Sequence, residues 1–193
     1  MANLDPKDPV PAGSTENFVS FHISELGFIM ERRHFHAAIY RHQSTDLSLT
    51  SGPRSMPYIH ELLNFENRKV VMFNLDELLM ELFHLAEPGS IRVAIIAGLG
   101  IFGEKYRDVV TGMLDSRYGD CAGNALAFRI GSDGAIQGIA WSELRLLPAG
   151  LRTFLSARGI MGCRFVGEGM EYILDPAVLA LPSLTSPALE VQS

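Results

Sequence analysis

Cysteine, tryptophan and clustered positive charge are all scarce in this chain. Its 193 residues include two cysteines and one tryptophan. Cys121 and Cys163 lie far apart and fit reduced thiols in a cytosolic protein; the pair leaves a disulfide open, but nothing in the sequence calls for one. Lys and Arg together number 16 against 22 Asp and Glu, a formal net charge of −6. A nucleic-acid partner would call for a basic stripe, and an anionic membrane surface for a Lys/Arg cluster. Neither is present, so no nucleic-acid binding is expected. Long hydrophobic runs are missing as well: the longest, Val93 to Phe102, is about half of what a membrane span needs, so no membrane insertion is expected. The N-terminal M-A-N-L-D-P-K-D-P-V-P is acidic and proline-rich, the opposite of a signal peptide. Together these absences predict a soluble cytoplasmic protein.

What the chain does have is a core-forming composition, 47% hydrophobic, and an internal repeat. Ile59 to Leu79 reads as two apolar strands, Leu62 to Phe65 and Val70 to Phe73, around the polar turn Glu66-Asn67-Arg68-Lys69. Asn74 suits a helix N-cap whose side-chain oxygen accepts a first-turn N–H, and Glu77 completes a capping-box-like pair. Leu75, Leu78, Leu79 and Leu82 then mark one helix face. Ile160 to Ala180 aligns with this stretch without a gap. Ile59 falls on Ile160, Asn74 on Asp175 and Leu78 on Leu179, with Gly167-Glu168-Gly169 at the turn and Pro176 at the first helical position.

An earlier strand–turn–strand, turning at Glu25-Leu26-Gly27, repeats too: Phe21, Ile23, Gly27 and Ile29 correspond to Phe128, Ile130, Gly134 and Ile136. Two matched segments in the same order predict two pseudo-repeats, at 18–83 and 125–180. Curling each into a small Greek-key or SH3-like barrel removes exposed strand edges. The expected fold is therefore mainly β, two pseudo-repeated small SH3-like β-barrels with short capping helices. Pro53, Pro57 and Pro148 punctuate the crossings between early and late strands. Residues 84–124 read as an α/β insert, with a strand at Ile91 to Ala97, a glycine turn, and a helix at Glu104 to Leu114. The apolar face of that helix is Tyr106, Val109, Val110, Met113 and Leu114. Residues 1–16 read as a disordered lead-in and 181–193 as a flexible tail.

Few constellations carry chemistry. Gly98-Leu99-Gly100-Ile101-Phe102-Gly103 is a literal G-x-G-x-x-G between a strand and a helix, the context in which Gly98, Gly100 and Gly103 would let a pyrophosphate approach a helix N-terminus. A nucleotide-binding regulatory protein is accordingly the alternative reading. Against it, Asp120 lies in a G-D-C-A-G loop, Asp133 is too far on for a ribose-binding acid, and no second βαβ unit follows. All six histidines fall within the first 84 residues. His34 and His36, two apart on a strand, would share a face, but no carboxylate or cysteine completes a site, and no metal is expected. Ser20, Ser142 and Cys163 lack a nucleophile elbow. Asp76, Glu77 and Glu143 read as first-turn helix acids or solvated positions. Neither catalysis nor a cofactor is expected. Trp141 reads as half-buried against the second barrel, with an anchoring role at an interface as the rival.

The late hairpins carry a family resemblance. Pro57, Tyr58 and Ile59, then Asn64, a turn, an apolar strand, and Asn74, Leu75, Leu78 and Leu79 resemble the CheW-like domain of bacterial chemotaxis coupling proteins. L-R-L-L-P-A-G-L, G-I-M-G-C-R-F and Y-I-L-D-P-A-V-L look like that domain's C-terminal half. The resemblance covers both repeats and not the insert. It implies a non-catalytic adaptor that docks onto the regulatory domain of a CheA-type histidine kinase and onto a chemoreceptor helical hairpin. The chain departs from the family pattern at the first late turn. Asn64-Phe65-Glu66-Asn67 stands where the family carries asparagine-leucine-arginine-glycine, so the charge offered to a partner is reversed. On the second strand, Phe35 and Ala38 stand where the family tends to have valine and glutamate. By this resemblance Asn64, Phe65, Glu66, Asn67 and Arg68 are the candidate partner-binding residues.

Overall fold

The hairpin at residues 59–74 shows how local sequence sets the architecture. The computed structural model describes residues 15–40, 49–85, 93–119, 125–130 and 135–185. In it β5 (Ile59–Phe65) pairs antiparallel with β6 (Arg68–Asn74). Glu66 and Asn67 take φ values of 49° and 61°, so the turn is a two-residue type I′ connection whose twist matches the strands it joins. It is shorter than expected because Arg68 and Lys69 already pair with Phe65 and Asn64. The second copy, β11 (Ile160–Val166) with β12 (Gly169–Leu174), turns through Gly167 and Glu168, with Gly167 at φ 58°. Both copies end alike. The Asn74 N–H donates to the Tyr58 carbonyl at 2.7 Å, and the Asp175 N–H to the Gly159 carbonyl at 2.7 Å.

The other strands are β1 (Thr15–Ile23), β2 (Leu26–Glu31), β3 (Phe35–Tyr40), β4 (Leu49–Met56), β7 (Val93–Gly98), β8 (Ala125–Ile130), β9 (Ala135–Ala140) and β10 (Arg145–Leu146). With β5, β6, β11 and β12 they form, among the described residues, two six-stranded sheets, ordered β9-β1-β2-β12-β11-β10 and β3-β7-β8-β6-β5-β4. The orders match position by position. In each sheet the late hairpin lies parallel to a neighbour: Tyr172 and Leu174 pair with Phe28 and Met30, and Val71 and Phe73 with Leu126 and Phe128.

The sheets do not follow the boundaries expected from the repeats. The second sheet is one continuous segment, β3 to β8, whereas the first joins β9–β12 to the N-terminal β1 and β2. The two units are circular permutations of each other. The supposed second opening hairpin is likewise two strands in different sheets: β8 pairs with β6 and β7, and β9 pairs with β1. Strand β7, placed in the insert by the sequence, is an interior strand of the second sheet. The first turn also shifts by a residue, to Ser24 and Glu25, because Leu26 pairs with Ile23. At Pro53, β4 loses register between Ser51 and Met56, as a proline does on an edge strand.

Strands buried on both faces explain the unbroken run Val70 to Phe73. Val71 and Phe73 join a shared core with Phe21, Phe28, Phe128 and Ile95. Val70 and Met72 face the other way, onto Leu63, Ala94, Ile96 and Ala127. The corresponding face of the first sheet carries Phe18, Ile29 and Ile139.

Among the described residues four α-helices accompany the sheets: α1 (Leu75–Phe83), α2 (Gly103–Tyr118), α3 (Ala149–Ser156) and α4 (Pro176–Thr185). The α4 helix carries Pro182 inside it and runs past the point where a loose tail was expected; the rest of that tail, and residues 1–14, lie outside the described residues. In α2 the buried residues are Val110, Leu114 and Tyr118, spaced by four; Tyr106 and Val109, expected on the buried face, are exposed. The helix cap also differs between copies. Asp175 accepts the Ala177 and Val178 N–H groups at 2.9 and 3.2 Å. The Asn74 oxygen caps nothing and is buried without a hydrogen-bond partner, while its amide points to Glu77 at 3.4 Å.

At the start of α1 the acid that matters is Asp76. It takes the Glu77 N–H at 2.9 Å and the Arg129 Nε at 3.1 Å, and Arg129 also reaches Glu61 at 3.3 Å. This pair, with Asp76 buried and Arg129 half-buried, ties α1 to β8. Asp76→Asn is expected to lower stability by about 1–3 kcal/mol, the worth of a charge-assisted hydrogen bond. Urea melts read this directly, and an unchanged midpoint would refute the tie.

Candidate protein-docking surfaces

The candidate residues Asn64 to Arg68 come together at one hairpin tip. Glu66, Asn67 and Arg68 are exposed, while Asn64 and Phe65 are half-buried, with Phe65 packed on the cluster of Leu63, Val70 and Met72. The equivalent tip on the first sheet was not singled out by sequence. It presents Phe165 and Val166, 69% and 48% exposed. A signal existed, since the gapless alignment puts Phe165 on Asn64 and Val166 on Phe65, so the polar half of one tip is apolar in the other.

This apolar tip continues along a sheet edge. The short β10 pairs only with Cys163 and Gly162 of β11. Among the described residues no strand covers that side of β11 from Arg164 onward. The adjacent α3 has no fully buried residue, and its Leu151 and Phe154 are exposed, as are Leu146 on β10 and Met161 on β11. The Arg158 guanidinium stacks over the Phe154 ring at 3.6 Å. Aromatic, Met and Arg side chains around an open strand edge have the composition of a protein interface rather than of ordinary surface.

Beside this edge lies a cleft of about 670 Å³. It is lined by Phe18 and Ile173 of the first sheet, by Trp141 and Leu144 of the turn after β9, and by Gly100, Ile101 and Gly103. Trp141 is 40% exposed, and its ring meets Phe18 edge-on at 6.4 Å. The charges at the cleft have partners already. Glu31 pairs with Arg33 at 2.9 Å, and Asp175 caps α4. Burial, with Glu16 and Asp175 nearby, raises the Glu31 carboxyl above its ordinary range, while Arg33 pulls the other way. Across the molecule, Tyr58 donates to Glu81 at 2.6 Å; burial and that bond push its phenol up to about 12.

The rival sites do not assemble. The strand before the glycine run, β7, is antiparallel to both neighbours, so the parallel βαβ unit of a dinucleotide fold is absent. Leu99 to Phe102 form a 3-10 turn with Leu99 and Phe102 in the core, and Asp120 and Asp133 lie outside the described residues. His34 ends a 3-10 turn, Arg32 to His34, instead of sharing a strand with His36. Among the described residues no three His, Cys, Asp or Glu side chains group as metal ligands. Cys163 and Ser20 are buried, and Ser142 is exposed on the turn after β9.

Compared with known proteins, no family model and no curated sequence matches this chain. Its structure is similar to the crystal structure of the scaffolding protein TtCheW from Thermoanaerobacter tengcongensis, with a TM-score of 0.55 over 83% of this chain and 89% of that one, at 13% identity. The fold is CheW-like. It is mainly β, two small SH3-like barrels with short helices, as the repeats imply. In this CheW-like chain β7 and β8 pair antiparallel as far as Gly98 and Ala125, and residues 99–124 connect them. No helix among the described residues is long and apolar enough to cross a membrane.

Proposed function

We propose that this CheW-like protein is a cytoplasmic, non-catalytic adaptor of chemotaxis-type signalling, coupling a receptor or receptor-like protein to a CheA-type histidine kinase. The observation that carries it is the open β11 edge with Leu146, Phe154, Met161, Phe165 and Val166 exposed around it. Such an edge suits docking onto a second barrel, with main-chain pairing supplying affinity and apolar side chains supplying fit. The tip Asn64 to Arg68 serves a second contact. Its Glu66 favours a basic partner surface, and charges at an interface rim set specificity and on-rate more than affinity.

The test is capture of the regulatory domain of a CheA-type kinase from the same genome. Phe165→Asp removes an exposed anchor without disturbing the core, and it should weaken binding by about tenfold or more, the scale of a hot-spot residue. Glu66→Arg should alter the salt dependence of association more than its strength. Failure of every encoded kinase domain to bind would sink the reading.

A further inference from the structure

We infer that the partner docking on the β11 edge and α3 does so through an acidic amphipathic segment, with apolar residues at its centre and carboxylates beside them. This rests on the docking reading above and adds the chemistry of what docks. From Leu144 to Gly167 the chain carries Arg145, Arg152, Arg158 and Arg164 and no Asp or Glu, in a protein of formal net charge −6. Spread along the sequence, these arginines form no basic run. The packing of β10 and α3 against β11 places them among the exposed Leu146, Leu151, Phe154 and Phe165.

Arg164 is engaged inside the fold, by Glu171 and Gln137. The other three are exposed, and among the described residues none of them pairs with a carboxylate. Arg145 donates to the Ser142 and Leu144 carbonyls, and Arg152 to the Leu147 carbonyl at 3.3 Å. Arg158 donates to the Phe154 carbonyl at 3.3 Å while its guanidinium covers the Phe154 ring. Carbonyl contacts leave a full positive charge uncompensated, and a planar guanidinium already held in place loses less entropy on meeting a carboxylate. The acids nearby are committed or marginal. Glu143 faces Arg164 at 3.6 Å and accepts the Ala140 N–H at 3.0 Å. On the cleft side Arg145 is accompanied by Arg33, Glu31 and Asp175, of which Glu31 pairs with Arg33 and Asp175 caps α4. Glu168 lies in the hairpin turn beyond Val166. The patch is therefore apolar with a positive rim. The equivalent tip on the second sheet mixes Glu66 with Arg68 and Lys69 and half-buries Phe65, so it offers an acidic segment neither unopposed charge nor an exposed anchor. Complementary rim charges of this kind admit one partner and repel others.

The test uses the full chain and two labelled amphipathic peptides with the same apolar residues, one carrying Glu and the other Lys at every polar position. Fluorescence anisotropy should show the Glu peptide binding about tenfold more tightly, the scale of a few exposed charge pairs, with a gap that narrows as salt rises. Arg152→Glu with Arg158→Glu should reverse the preference, an outcome that a misfolded variant cannot give. Phe154→Ser should weaken both peptides. Equal binding of the two peptides, binding of neither, or a preference that survives the double charge reversal would overturn the inference. So would binding of the full chain to phosphatidylglycerol vesicles that the same double variant loses, which would assign the surface to a lipid headgroup layer. No kinase enters these measurements. Peptide selectivity without capture of any kinase domain would remove the coupling reading and keep this one; kinase capture indifferent to the double reversal would do the opposite.

Discussion

Replacing Glu171 with Val is expected to cost the fold about 3–5 kcal/mol, and adding Arg164→Leu to the same molecule to restore most of it. The two side chains face each other across β11 and β12, each about 6% exposed, with Arg164 Nε 2.5 Å from Glu171 Oε2. Gln137 accepts a second Arg164 bond at 2.8 Å, and Glu143 approaches at 3.6 Å. Removing the carboxylate strands a buried guanidinium, which is why the single change is severe. Removing both groups returns the site to apolar packing, which commonly equals or exceeds a buried ion pair. The molecule contains its own control for that outcome. One repeat earlier, the same two positions are Leu63 and Val70, packed in an apolar cluster. Chemical denaturation of the two single variants and the double variant decides it. A double variant as unstable as Glu171→Val would show that the network with Gln137 and Glu143, rather than the unpaired charge, sets the cost.

Gly159→Ala should be nearly as damaging, at about 2–5 kcal/mol from backbone strain and overpacking combined. Gly159 has φ 73°, and a Cβ there would lie 2.5 Å from Leu179 Cγ and 3.0 Å from the Asp175 carbonyl oxygen. That carbonyl accepts the Leu179 N–H at 3.1 Å in the first turn of α4, so it cannot give way cheaply. Position 58 is again the comparison: Tyr58 holds φ 60° with its ring against Phe73, 6.1 Å between centroids. Tyr58→Gly should therefore cost less than Gly159→Ala, since it relieves strain while losing packing. A thermal melt showing the reverse order would contradict the steric account.

Those paired positions also show what was legible in the sequence. The late hairpins could be read because turn, strand and helix cap are local signals, repeated without a gap from Ile59 and from Ile160. The partner of each strand could not be read in this way. Alternating apolar residues announce a strand at Phe21 and at Phe128 alike, yet β1 turns back on β2 while β8 and β9 part into different sheets. The parallel pairing of Glu171 with Gly27 leaves no trace near either residue. At the cap, Asn74 matched the expected residue type, but it was Asp76, two positions on and facing Arg129, that took the first-turn N–H it formed. For the docking surface, hydrophobic pattern does not distinguish Leu151, Phe154 and Phe165, all exposed, from residues of the core. Their exposure follows only from how α3 and the edge of β11 sit in the fold, with no described element packed over them.

The permuted first sheet has a kinetic consequence. On the ribosome β1 and β2 emerge first, but their partners β9 and β12 come more than a hundred residues later, on the order of 10 s at ordinary elongation rates. Strands β3 to β8, by contrast, complete a sheet from one uninterrupted stretch. The hairpin of β1 and β2 must therefore wait with its apolar edge unclaimed, and this long-range closure is slow by its topology. Assembly of the nascent chain runs from the middle outward, and the docking edge on β11 exists only once the two ends of the fold have met.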